Sequence, residues 1–207
     1  MRIWRKLIAV WCVLPGLMYG CGDSSSKKQL PYLGNPSTAE SGEEGHPKIP
    51  EFQFVNQDGN TVSPSTFEDK IYVADFFFTS CPTICPKMKK EMLRVYEEFE
   101  DEDEVALLSH TIDPVTDDVQ QLHEFAEKLG VKSSKWHFVT GSRDELHGIA
   151  DHYLASAMED ADAPGGFLHS GTFVLIDKQK HIRGAYDGTD PSSVDVLMAD
   201  MKILLDE

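Results

Sequence analysis

Positive charge is scarce in this chain. Its 207 residues carry 19 Lys and Arg against 35 Asp and Glu, a formal net charge of -16. A nucleic-acid surface needs clustered Lys and Arg, so the balance argues against one. It predicts a soluble, self-repelling surface, or an acidic face that meets a basic partner. Cysteine is sparse too, with four residues in all. A structural zinc site takes about four ligands, usually as two pairs. A chain that keeps only one thiol pair after export cannot close an all-cysteine site by itself. There is no internal repeat and no sign of a second domain. What is present is a hydrophobic fraction of 41%, enough to bury a sizeable core in one domain that carries an N-terminal appendage.

The appendage reads as a targeting segment. Arg2, Arg5 and Lys6 form a positive start, residues 7–14 are mostly apolar, and Gly20 precedes Cys21. That layout predicts a secretory signal over residues 1–20, too short to span a bilayer as a stable helix. The run Leu17-Met18-Tyr19-Gly20-Cys21 resembles a bacterial lipoprotein signal, in which Cys21 is acylated and becomes the first mature residue. An ordinary cleaved signal or an uncleaved anchor are the alternatives. The lipoprotein reading implies an exported protein, lipid-anchored on the periplasmic side of a bacterial membrane. Residues 21–48 are rich in Ser, Gly, Pro, Glu and Lys and read as a flexible tether, with His46 solvated in it. The folded domain is expected over residues 49–207.

Within it, residues 51–55 alternate like a strand and Asp58-Gly59 signals a hairpin. Residues 71–79 form a continuous apolar run, as expected for a strand covered on both faces, with Asp75 the exception. A helix is expected over about 83–100, with Pro86 in its first turn. A strand follows over 105–112, a helix over 116–130 that stops at Gly130, and a short strand over 136–139. A helix over 142–155 is capped by Ser142, with Glu145 three residues on. Strands over 167–176 and 181–186 flank the turn Asp177-Lys178-Gln179-Lys180, and a last helix covers 192–205. Alternating strand and helix followed by a hairpin and a helix predicts an α/β thioredoxin-like fold. Its central mixed sheet is flanked by helices and has an N-terminal β-hairpin added.

The chemistry concentrates in Cys81-Pro82-Thr83-Ile84-Cys85-Pro86, directly after the apolar strand. Four residues on a helix is just over one turn, so both sulfurs would project to one side with Cα atoms about 6 Å apart. That spacing suits a disulfide or one shared metal ion. The positive end of a helix dipole is expected to make both thiols more acidic than free cysteine. Thioredoxin-type oxidoreductases have two residues between their cysteines and this chain has three. Two thiolates with one imidazole would suit copper. His123, His147 and His152 fall on predicted helices and read as surface groups. His110 lies inside a strand and reads as core, His137 lies in a short strand, and His181 sits at a hairpin. His169 follows the loop containing Pro164-Gly165-Gly166 and opens the last hairpin, where a thioredoxin-like fold would turn it toward the cysteine loop. From the residues alone it is one candidate among the histidines. Met88 and Met92 are soft donors at helical spacing and read as core.

Several segments in order resemble the Sco/SenC/PrrC family of copper proteins. They are Asp75-Phe76-Phe77-Phe78-Thr79-Ser80-Cys81-Pro82-Thr83-Ile84-Cys85-Pro86-Lys87-Met88, Thr111-Ile112-Asp113-Pro114-Val115-Thr116-Asp117-Asp118, Trp136-His137-Phe138-Val139-Thr140-Gly141, His169-Ser170-Gly171-Thr172-Phe173-Val174-Leu175-Ile176 and Tyr186-Asp187-Gly188. The resemblance implies a membrane-tethered domain that binds one copper, Cu(I) or Cu(II), through Cys81, Cys85 and His169. It implies delivery of that copper to the dinuclear centre of apo cytochrome c oxidase subunit II, or to a related copper-receiving protein, with a thiol reductant as second partner. Asp75 would be a buried acid tuning the thiols. Asp113 would orient the site or a partner, or else cap the following turn. The alternative functions are a thiol–disulfide oxidoreductase using Cys81 and Cys85 as a redox pair, and a redox or copper sensor.

Overall fold

The computed structural model describes residues 29–34, 46–160 and 162–207. The predicted signal and Cys21 lie outside the described residues. Strands β1 (Phe54–Asn56) and β2 (Thr61–Val62) form the expected hairpin. The Asn56 side chain accepts from the backbone of Asp58 at 3.0 Å and of Asn60 at 2.9 Å, and Gly59 takes φ +76°. Strand β3 (Ile71–Phe77) is buried at every position, as the apolar run requires. It pairs in parallel with β4 (Val105–Thr111), which pairs in parallel with β5 (Trp136–Thr140). Helix α1 (Cys85–Glu98) connects β3 to β4, and α2 (Val119–Leu129) connects β4 to β5. Both crossovers step the same way along the sheet, so the right-handed rule puts both helices on one face. The contacts agree. Lys89 Nζ of α1 lies 4.1 Å from the Phe77 ring centroid, and the Phe125 ring of α2 lies 5.6 Å from it.

Helix α3 (Arg143–Ala150) and the 3-10 turn Asp151–Tyr153 cover the opposite face, where the Tyr153 and Tyr72 hydroxyls meet at 3.1 Å. After a small antiparallel pair, β6 (Ala157–Glu159) with β7 (Phe167–His169), strand β8 (Thr172–Ile176) pairs antiparallel with β3 and β9 (Ile182–Asp187) with β8. Helix α4 (Pro191–Leu205) ends the chain and joins the α1 face through Arg94–Asp195 and Lys202–Glu98. The main sheet runs β2-β1-β5-β4-β3-β8-β9. This is the thioredoxin-like order, with the hairpin added on the β5 edge.

The structure corrects the sequence reading of the elements in several places. The strand expected over 167–176 is two strands in two sheets, and the chain changes sheets at Ser170-Gly171. The helix expected to run to residue 155 ends at Ala150 and tightens into a 3-10 turn that buries Tyr153. Helix α2 starts three residues later than expected, because Asp118 caps it through the Gln121 N–H at 2.8 Å. Part of the stretch read as tether is built into the domain. Leu30 is buried, Leu33 bridges to Ile182 and Lys48 to His181. Arg183 holds this segment by donating to the carbonyls of Leu30 at 2.8 Å and Pro31 at 3.3 Å, beneath the Tyr32 ring. His46 stacks on Tyr32 at 4.3 Å instead of lying in solvent.

His110 is core, as expected, and carries a measurable consequence. Its ring stacks on Phe76 at 4.8 Å, it is fully buried, and neither ring nitrogen is within hydrogen-bond geometry of a partner among the described residues. Burial pushes its pKa down to about 4. The unfolded chain takes up that proton near pH 6.5 and the folded chain does not, so stability falls as the pH drops from about 6.5 and levels off below about 4. The loss attributable to this residue should reach about 3 kcal/mol. Urea unfolding from pH 7 to pH 4 should therefore show a shallower decline in His110→Phe than in the unmodified protein. Parallel curves would mean that the imidazole finds a partner on protonation.

Candidate metal centre

The site forms where β3 ends. The chain turns after Phe78, and the Cys81 N–H donates to the Phe78 carbonyl at 3.2 Å. Pro82 restrains the residue before it and offers no N–H. Helix α1 begins only at Cys85, with Pro86 in its first turn, where a missing donor costs little. Cys81 thus sits in the turn and not on the helix, which corrects the expectation that one helical face carries both sulfurs. The turn folds it back over the helix end all the same. Both cysteines are buried free thiols.

The third group arrives on β7. His169 Nε2 lies 3.2 Å from Cys85 Sγ, and the ligand atoms of Cys81, Cys85 and His169 all lie within 4.8 Å of one another. His169 Nδ1 faces the Ser170 carbonyl at 3.2 Å. That contact favours the proton on Nδ1 and leaves the Nε2 lone pair toward the sulfurs. The β6–β7 hairpin is held down by its aromatic underside. Phe167 and His169 pack on Phe78 with ring centroids at 5.3 and 5.9 Å. Gly165 takes φ +82°, and a Cβ there would stand 2.8 Å from the Phe78 ring, so only glycine lets the hairpin tip lie on the cysteine loop.

The two thiols differ. Burial raises the Cys81 pKa, but hydrogen bonds from Cys85 and from the Thr83 backbone and hydroxyl outweigh it, so the thiol is more acidic than usual. Burial, reinforced by the hydrogen bond with Cys81, pushes Cys85 well above the ordinary thiol range despite the attraction of Lys89. The expectation of two acidic thiols therefore fails for Cys85, because desolvation outweighs the helix dipole. Burial lowers the His169 pKa and keeps the ring neutral. The set is two sulfurs, with Cys81 the more acidic, and one imidazole whose pKa burial lowers. These soft and borderline donors suit Cu(I), and the imidazole also accepts Cu(II). No other cluster of three metal-ligating side chains occurs among the described residues.

Asp75 and Asp113 touch none of these atoms. Asp75 is fully buried in β3, 2.7 Å from Lys89 Nζ, and accepts from the Ser109 hydroxyl. It neutralises a lysine one helical turn beyond Cys85. Asp113 caps the turn after β4, accepting from the Thr116 N–H at 3.3 Å. Sequence reasoning missed Asp117, which accepts from the Thr79 N–H at 3.0 Å and the Thr111 hydroxyl at 2.6 Å, pinning the strand end that launches the cysteine loop. It also missed Lys89, although a lone acid in an apolar strand signals a cation nearby. Met88 and Met92 are core, as expected. His123 and His152 are exposed. His147 is not a free surface group: its Nε2 lies 2.8 Å from the Ile112 carbonyl.

Comparison with known proteins gives a consistent result. The SCO1/SenC family matches residues 40–206. A SCO1/SenC family lipoprotein from Bacillus anthracis superposes with a TM-score of 0.70 at 28% identity, covering 76% of this chain and 95% of that one. BsSco, a member of the Sco family of cytochrome c oxidase assembly proteins in which a disulfide switch is identified, gives a TM-score of 0.67 at 29% identity, covering 76% and 92%. A protein described as copper-binding from Stutzerimonas stutzeri is 26% identical over 140 residues, 66% of this chain and 67% of its own length.

Proposed function

The chain belongs to the SCO1/SenC family, and on that premise we propose that it binds one copper ion through Cys81, Cys85 and His169 and hands it to an apo-protein during cytochrome c oxidase assembly. The recipient in this reading is the dinuclear copper centre of subunit II. The observation that carries it is the convergence of two sulfurs and one imidazole nitrogen within 4.8 Å, on three separate pieces of chain. Cys85 must lose its proton to bind, so loading releases protons and strengthens as the pH rises. Titration of the reduced protein with Cu(I) should saturate near one equivalent, and the saturated protein should load an apo copper-site domain of subunit II. Saturation at two equivalents, or copper retained against that acceptor, would refute the reading.

A second reading is favoured by the unequal thiols: the more acidic Cys81 is suited to attack a disulfide and Cys85 to resolve the mixed disulfide. In it the protein reduces the recipient's cysteines before loading, and a thiol reductant restores the pair. Cys81→Ser should abolish reduction of a peptide disulfide, and Cys85→Ser should trap the peptide on Cys81. Trapping by Cys81→Ser instead would reverse the roles. Location completes the proposal: a lipid on Cys21 holds the domain at the periplasmic side of the membrane. The likeness to a lipoprotein supports this. Cys21→Ser should move the protein from the membrane fraction to the soluble one.

A further inference from the structure

A groove of about 360 Å³ runs between α1 and α2. Pro86 and Leu93 form one wall, Phe125 and Leu129 the other, and Cys81 and Cys85 line it too. His169 is not part of the lining, so the groove meets the sulfurs away from the imidazole. Leu93, Phe125 and Leu129 are only half-buried, and Pro86 is exposed.

One wall carries an unexpected charge. Lys90 is exposed and lines the groove, and Lys87, outside the lining, is exposed one helical turn before it on α1. Neither forms an ion pair among the described residues, and the first turn of α1 holds no acid. Cations at the positive end of a helix oppose its dipole. In a chain with nearly twice as many acids as bases, placing them there calls for a reason beyond solvation. A second copy of the chain is a poor occupant, since the cysteines of its described residues are both buried.

We propose that this groove docks an extended, acidic, cysteine-bearing segment of a partner protein. Its carboxylates would meet Lys87 and Lys90, an apolar side chain would enter between Leu93 and Phe125, and its thiol would arrive at the paired sulfurs. This deepens the reading of the thiol pair as the point of exchange and rests on it.

The test uses the reduced full chain and two synthetic peptides, Glu-Leu-Cys-Glu-Leu and Lys-Leu-Cys-Lys-Leu, each activated as its 2-thiopyridyl disulfide. A protein thiolate attacks the peptide sulfur, the mixed disulfide forms, the peptide's own S–S bond breaks, and 2-thiopyridone leaves and is counted by its absorbance. At low salt the acidic peptide should react about tenfold faster than the basic one, and the gap should close as ionic strength rises. Lys87→Glu with Lys90→Glu should invert the preference. The same double variant should react like the unmodified protein with uncharged 2,2′-dithiodipyridine, which shows that fold and thiols are intact. Leu93→Ser should slow the acidic peptide but not a version with Ser in place of Leu. Equal rates for the two peptides, a preference for the basic one, or an acidic preference that survives the double variant would overturn the proposal. So would concentration-dependent dimerisation abolished by Leu93→Ser, which would make the groove an interface between copies. No peptide preference in an unmodified protein that still binds copper removes the groove and leaves the metal site standing. Loss of copper binding with the preference intact does the reverse.

Discussion

Replacing His169 by Ala should weaken Cu(I) binding by more than about 100-fold, measured by competition with a chromophoric chelator at pH 7. Residues that merely orient a metal ligand typically change affinity about 10- to 100-fold, and loss of the ligand itself should exceed that. No other metal-ligating side chain is grouped with the two sulfurs among the described residues. His169 is the only imidazole grouped with the sulfurs among the described residues, and His110 is sealed among aromatic rings on the face opposite α1. A backbone effect is small, because the β6–β7 hairpin is still held by Phe167 on Phe78 and by the close approach of Gly165. The Cu(II) form should also lose its imidazole donor, seen as a shifted thiolate charge-transfer band. Affinity within threefold of the unmodified protein would show that the two sulfurs suffice and that the imidazole nearby is not a ligand.

Much of this arrangement is readable from local signals. The uninterrupted run before the cysteines is a strand buried on both faces, Gly130 stops α2 with φ +71°, and Ser142 caps α3. Each of these is decided by residues a few positions apart. The errors share an opposite cause. Strands β6 and β7 have three residues each and no usable period, and they form because Phe78 and Gly165 give the hairpin something to lie on. Cys81 leaves the helix because Pro82 and the Phe78 carbonyl fix its turn. The segment around Leu30 and Leu33 joins the domain through Arg183, about 150 positions away in sequence. At the site itself, the residue types and their order marked the two sulfurs and left His169 one candidate among the histidines, and the family resemblance singled it out. The roles of Asp75 and Asp113 did not follow from them, since each depends on which group folds against it. Helix polarity suggested two acidic thiols, whereas the degree of burial that raises Cys85 is a property of the packed structure alone.

Asp75→Ala should destabilise the fold by about 3–5 kcal/mol, the usual consequence of leaving a buried charge without its partner. The orphan would be Lys89. Its ammonium lies 4.1, 5.4 and 5.6 Å from the ring centroids of Phe77, Trp136 and Phe138, and Ser109 would be its one remaining hydrogen-bond partner, at 3.1 Å. Lys89→Met should be costly as well, because it leaves the buried carboxylate with the Ser109 hydroxyl as its one side-chain donor among the described residues. The double change Asp75→Leu with Lys89→Met removes both charges and keeps the volume, so it should recover most of the loss. Denaturant unfolding of the unmodified protein, Asp75→Leu, Lys89→Met and the double variant closes the cycle, and a coupling near zero would show that the pair contributes nothing jointly. Copper affinity then separates two roles for the acid. If Asp75 serves to neutralise Lys89, the folded double variant binds copper within about tenfold of the unmodified protein, the lower end of what outer groups around a metal usually contribute. If instead the carboxylate tunes the thiols directly, affinity in the double variant stays depressed although stability returns. The geometry favours the first outcome, since Asp75 hydrogen-bonds to Lys89 and Ser109, whereas the sulfurs bond to Thr83 and His169.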